Sequence, residues 1–211
     1  MKKLGMFLMF VLAMTLATPS AFAQLSRKEQ RQVEKAAKKE AKQLKKDGWK
    51  VAPGNPSLEM QLAESYSMQM QKDESGYGKY IQGEAMTIGQ VYDAALLQAD
   101  NLAKVNLAGK METRIIQIID NKLANDQISR EDATSLMKSI SAGKNLISQT
   151  LGQVITPVKM YRDLENGNIE VRVMVYYSQD MALKIAKKAM RDELEKEANG
   201  LAGKVEDVIG F

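Results

Sequence analysis

The order of periodic segments predicts an α+β fold, a small and mainly antiparallel three-stranded sheet packed by helices in a two-layer sandwich. Three observations carry it. Residues 169–177 alternate between apolar and polar, with Ile169, Val171, Val173, Val175 and Tyr177 on one face. An Asn166-Gly167 reversal separates that segment from a second β-rich run at 154–162. Before them, a long apolar segment places Ala95, Ala99 and Ala103 at every fourth position, a small-residue face that lets a helix approach a sheet closely.

In chain order, the first helix runs from Leu25 to Asp47, where Ser26 and Glu29 form a capping box. Its apolar positions, Val33, Ala36, Ala37, Ala41 and Leu44, make one narrow stripe, and Gly48 supplies the left-handed residue that closes it. Trp49 and Val51 begin a short apolar touch-down before the turn at 53–56. A second helix starts near Ser57, with Asn55 as cap and Pro56 as first residue.

Residues 79–86 read as a strand, in which Gly83 marks a bulge or a close backbone approach. Thr87 and Gln90 form a capping box for the long helix, which extends from about Ile88 to Leu123. Ser129 caps a further helix to about Thr150, with Gly143 weakening its middle. Pro157 removes a ladder donor, so the strand carrying it lies at an edge or is bulged. Ser178 caps the last main helix, which runs to about Ala198 and is followed by a short apolar tail, 205–211. The long helix and this last helix are expected on one sheet face, leaving the other partly wet. The chain divides into residues 1–23, a basic helical arm at 24–50, and a single α+β domain at 51–211.

The first 23 residues have the three parts of a secretory leader. Lys2 and Lys3 give a positive start, Leu4 to Ala17 an apolar stretch, and Ala21-Phe22-Ala23 a small-residue cleavage site. The apolar stretch is shorter than the roughly 20 residues that cross a bilayer. The expectation is export with cleavage after Ala23, to the periplasm, the outer membrane or beyond, of a protein that does not span the membrane.

The chain holds no cysteine and no histidine. Thiol chemistry, a Ser-His-Asp triad and a His-based metal site are therefore excluded. No catalytic residue, cofactor or metal ligand is nominated. Asp163, Glu165, Asn166 and Asn168 match a calcium loop in composition but not in spacing.

Charge is unevenly distributed. Residues 27–50 carry ten Lys/Arg against four Asp/Glu, whereas residues 51–211 carry 18 against 22. A basic arm thus precedes a mildly acidic body, a pattern suited to anionic envelope material (lipid head groups or acidic glycan) or to envelope proteins. The same pattern also fits a merely solvated helix. Nucleic acid is not expected of an exported chain with an acidic body. Four residues stand as a candidate ligand or partner surface. Tyr161 and Tyr176 would flank Arg172 on the wet sheet face, where they would stack on a sugar or anchor a peptide; the more ordinary reading is that such aromatics suit strands and shield a half-buried sheet. Trp49 is the fourth. Met60, Met68 and Met70 on one short helix fit an adaptable partner surface or, more ordinarily, core filling.

Several of these segments resemble a known family. Trp49, the turn at 53–56, the run Tyr80-Ile81-Gln82-Gly83-Glu84-Ala85, the alanine-rich helix with Ala94, Ala95, Ala99, Leu102 and Ala103, and the strand Ile169 to Val175 are similar to the Helicobacter lipoprotein-20 family and to the N-terminal domain of the flagellar T-ring protein. The resemblance spans about residues 49–198. It implies a small α/β domain in a structural or accessory envelope protein, with no catalytic residues to carry over. This chain lacks the lipidation cysteine of the lipoprotein members.

The expectation from the residues is a binding, scaffolding or accessory envelope protein rather than an enzyme. One alternative is a carboxylate-based hydrolase of cell-wall or other glycan, and another is a self-associating structural subunit joined through an open sheet edge.

Overall fold

The computed structural model describes residues 25–74, 76–196 and 201–209; residues 1–23, expected above to be a leader, lie outside them. The elements are α1 (Arg27–Lys46), α2 (Leu58–Met70), β1 (Tyr80–Gly89), α3 (Tyr92–Ala124), α4 (Arg130–Thr150), β2 (Ile155–Asp163), β3 (Ile169–Ser178), α5 (Gln179–Lys196) and a short α6 (Lys204–Ile209). The strands form an antiparallel sheet in the order β1-β3-β2. The fold is α+β.

The hairpin turns at Gly167, which sits at φ +80°, where a side chain would be strained. β2 is both an edge strand and irregular, with its register shifting between Ile155 and Val158, around Pro157. β1 pairs with β3 without a break from Tyr80 to Gly89, so Gly83 marks a close approach and not a bulge. A Cβ on Gly83 would lie 2.1 Å from the Ala103 carbonyl oxygen and 2.7 Å from Leu107 Cβ. The alanine stripe of α3 and this glycine are two halves of one contact.

The long helix begins later than the Thr87–Gln90 pattern implied. Thr87 stays in β1 and donates its hydroxyl to the Ala95 carbonyl at 2.7 Å, so its oxygen caps nothing. α3 starts at Tyr92 instead, behind Val91, which makes no side-chain cap. Ser57, not Asn55, caps α2 by accepting from the Met60 amide. The Ser26 box and the Ser129 cap form as expected.

One core lies between the sheet and α3, α4, α5 and α6, with Val171, Val173 and Val175 pointing into it. α3 covers β1 and β3, and α4 packs on α3 and α5. Gly143 is where α4 meets α5, because a Cβ there would sit 3.2 Å from Ala189 Cβ. Val205, Val208 and Ile209 dock α6 on this core.

A second core fills the opposite sheet face. Met174, Tyr176, Val158 and Met160 meet Leu58, Leu62 and Met68 of α2, then Ala37, Ala41 and Leu44 of α1. α2 packs on β2 and β1, and α1 packs on α2. The part of the face expected to be wet that carries Met174 and Tyr176 is therefore covered, and α1 is the outermost layer on that side.

Candidate functional site

α1 presents the largest concentration of like charge among the described residues. Ser26 accepts from the Glu29 amide while Glu29 accepts from the Ser26 amide at 2.9 Å, which satisfies two orphan donors and starts the helix. At its other end Gly48 adopts φ +84°, and the Trp49 amide reaches back to the Leu44 carbonyl at 2.9 Å. That closure swings Trp49 under the helix into the α1–α2 core.

Val33, Ala37, Ala41 and Leu44 are the buried residues of α1. Its nine cations, Arg27 through Lys46, are all exposed. At 100° per residue they fall in one sector of about 120° opposite the buried stripe, and no other residue type projects there. Of the four acids of residues 27–47, Glu34 borders that sector and Glu29, Glu40 and Asp47 lie beside the buried stripe. Three of them are engaged within the fold: Glu29 with Ser26, Glu40 with the Tyr66 hydroxyl, and Asp47 with Gln43. The Ser26 hydrogen bonds hold the Glu29 carboxyl below its ordinary pKa. Among the described residues, no cation of α1 takes part in an ion pair, whereas most ion pairs of the body are local or join neighbouring elements.

The four residues expected to form a ligand surface do not come together. Trp49 is only 6% exposed, and the Arg162 guanidinium stacks over its ring at 4.9 Å. Tyr176 is 1% exposed, with its hydroxyl 2.7 Å from Ser65 Oγ and accepting from Gln69 Nε2 at 2.8 Å. α2 covers this tyrosine, and burial pushes its pKa above the ordinary tyrosine value. Arg172 is half-buried and donates to Glu84 Oε1 at 2.6 Å, so its charge is already matched. Tyr161 lies on the opposite sheet face, because the register pairs it with Val171 and leaves Met160 opposite Arg172. There its ring centroid is 4.9 Å from that of Tyr92, and Lys50 Nζ lies 5.2 Å above it while pairing with Asp163. Met68 is buried and Met60 exposed, so those methionines do not share a surface.

Two open grooves flank the C-terminal end of α3. One, about 520 Å³, is lined by Asp126, Asp132, Asp207, Lys122 and Lys204. Asp132 is hydrogen-bonded to Lys204 at 2.9 Å, which holds its carboxyl below the ordinary range. A glycosidase acid needs the opposite displacement. The second, about 550 Å³, lies between Tyr77, Arg114 and Ile209 and holds one carboxylate, Asp120.

The two sheet edges differ. β2 is sealed by Lys50, whose backbone exchanges two hydrogen bonds with Tyr161, and by Gln61 Oε1, which accepts from the Lys159 amide at 2.8 Å. β1 pairs with no strand on its outer side among the described residues, and Met86, Ile88 and Val91 are exposed along it. Asn106 Nδ2 donates to the Glu84 carbonyl there at 2.7 Å.

Fold and surface together define a small α+β protein with a docked helix whose outer face is wholly cationic. No family model, no curated protein and no solved structure matches the chain.

The charge asymmetry is legible in composition, since residues 27–50 hold ten of the 30 Lys/Arg. The second core on the α2 face carries no local signal, because it depends on where α2 docks.

Proposed function

We propose that this protein is an exported component of a bacterial cell envelope that works by binding or scaffolding and not by catalysis, with the cationic face of α1 as its contact surface. The observation that carries this reading is the separation of roles within α1. The apolar stripe and three of the four acids are engaged by the fold, and the cations are all left facing solvent. The leader-like start of the chain and the resemblance to the lipoprotein-20 family point to the envelope. Among the described residues, no helix is long and apolar enough to cross a membrane. The Asp132–Lys204 pairing in the acidic groove weighs against a hydrolase.

Cell fractionation with intact-mass analysis tests the address. A product beginning at Gln24 outside the cytoplasm supports the reading, and a cytoplasmic product retaining Met1 contradicts it. The open β1 edge favours a second reading, self-association through strand pairing. Light scattering across a concentration series distinguishes a monomer from an assembly.

A further inference from the structure

The arrangement of the cations says more than their number. Along α1, Arg31, Lys38 and Lys45 form one rank, Lys35, Lys39 and Lys46 a second rank centred about 80° round the helix, and Lys42 stands between them. The ranks run along a helix of 20 residues, about 30 Å. The result is a patch of charge with two dimensions, not a single file. A linear polyanion lying along the helix would neutralise one rank and leave the other. A planar anionic surface meets both.

The sector contains no aromatic or aliphatic residue, so nothing in it can enter a hydrocarbon layer. Seven of its nine cations are lysines, compact point charges that attract phosphate without the directional fork of arginine. α1 is also the outermost element on its side of the protein, packed on α2 and meeting β2 at its C-terminal end, where Arg162 donates to the Asp47 carbonyl. A flat surface can therefore approach the whole sector unobstructed by the sheet. The rest of the chain is mildly acidic, which turns it away from such a surface.

From this geometry we infer that the outer face of α1 adheres peripherally to an anionic phospholipid bilayer, with both ranks on the head groups and the body held away from it. Binding is electrostatic and without insertion, so it is reversible by salt. The inference deepens the envelope-binding reading and rests on it.

Vesicle co-sedimentation of residues 24–211, which contain the whole described fold, tests it. The probes are vesicles of mixed phosphatidylglycerol and phosphatidylcholine, vesicles of phosphatidylcholine alone, and a soluble acidic polysaccharide, polygalacturonate. The expected result is retention on the mixed vesicles only, lost as salt rises from about 0.1 M to about 1 M, where the screening length falls from about 10 Å to about 3 Å. Lys35→Gln/Lys38→Gln/Lys42→Gln should weaken partition by about tenfold or more. Arg31→Gln/Lys45→Gln/Lys46→Gln should do the same, which protects the test if either triple variant folds poorly. Lys184→Gln/Lys188→Gln, on α5 across the sheet, should change it less than about twofold. Equal binding to both vesicle types, unchanged binding by the α1 variants, or binding to polygalacturonate without binding to vesicles would overturn the inference. A chain that is exported and trimmed to Gln24 but fails on vesicles rejects the lipid contact alone. An untrimmed cytoplasmic chain rejects the reading beneath it.

Discussion

Helices α1 and α3 both carry alanine at four-residue spacing, at Ala37 and Ala41 in one and at Ala95, Ala99 and Ala103 in the other. In both, these residues are buried and set the distance of approach to a neighbour. The rest of each helix differs. α3 follows its stripe with Leu107, Met111, Ile115 and Ile119, all buried, and is enclosed by the sheet, α4 and α6. α1 has only Val33 and Leu44 beside its alanines, rests on α2, and gives the remaining surface to charge. An alanine stripe therefore says how closely a helix sits, and the opposite face says what the helix is for.

The comparison breaks most sharply at Gly83. A Cβ there meets the backbone of α3 at the Ala103 carbonyl, which cannot turn aside. Gly83→Ala should cost about 3 kcal/mol or more in urea unfolding, and a loss under about 1 kcal/mol would mean that α3 has room to retreat. Enlarging the two stripes should give unequal costs. Ala103→Leu presses on β1 and should lose about 3 kcal/mol, while Ala37→Leu presses on an outer helix free to shift and should lose about 1 kcal/mol. Equal losses by thermal denaturation would remove the distinction between the helices.

Tyr176 joins the sheet to α2, and thereby supports the platform on which α1 rests. Tyr176→Phe leaves Ser65 and Gln69 short of a partner and should cost about 1–2 kcal/mol. The tyrosine also makes stability pH-dependent. Its folded pKa is raised by burial, so the neutral form is favoured in the fold. That contribution is complete below the unfolded value of about 10 and is lost as pH rises through the folded value. Tyr176→Phe should flatten the alkaline decline, leaving a smaller one from Tyr92, which burial also raises. The smallest effect is expected on α1. Lys35→Gln/Lys38→Gln/Lys42→Gln removes exposed charges that form no ion pair and should shift stability by less than about 0.5 kcal/mol.

The α3 side of the molecule was largely legible in the sequence. The alternation at 169–177, the glycine at position 83 and the alanine spacing all report local geometry, and the structure uses each in that way. The α2 side was not. Glu170, Arg172, Met174 and Tyr176 alternate as an exposed face would, and only the non-local docking of α2 buries the last two. Tyr161 falls on the other face because the hairpin loop at 164–168 fixes an unbroken register from Asp163 to Val158 that sets it opposite Val171 and not opposite Arg172. Of the two roles open to Trp49, apolar touch-down and ligand contact, the left-handed Gly48 selects the first by turning it under α1. Of the candidate site, the basic charge could be read directly. That the helix is fixed to the body by Ala37, Ala41 and Leu44, with every cation aimed outward, required the fold.

Lysine footprinting on anionic vesicles tests most directly whether α1 is the contact face. The protein is acetylated in solution and again when bound to phosphatidylglycerol-containing vesicles, and each lysine is followed by mass spectrometry. Lys35, Lys38, Lys39 and Lys42 should become protected, while Lys110, Lys184 and Lys188, exposed on α3 and α5, should react as before. Protection spread evenly over all seven, or confined to α3 and α5, would contradict the account.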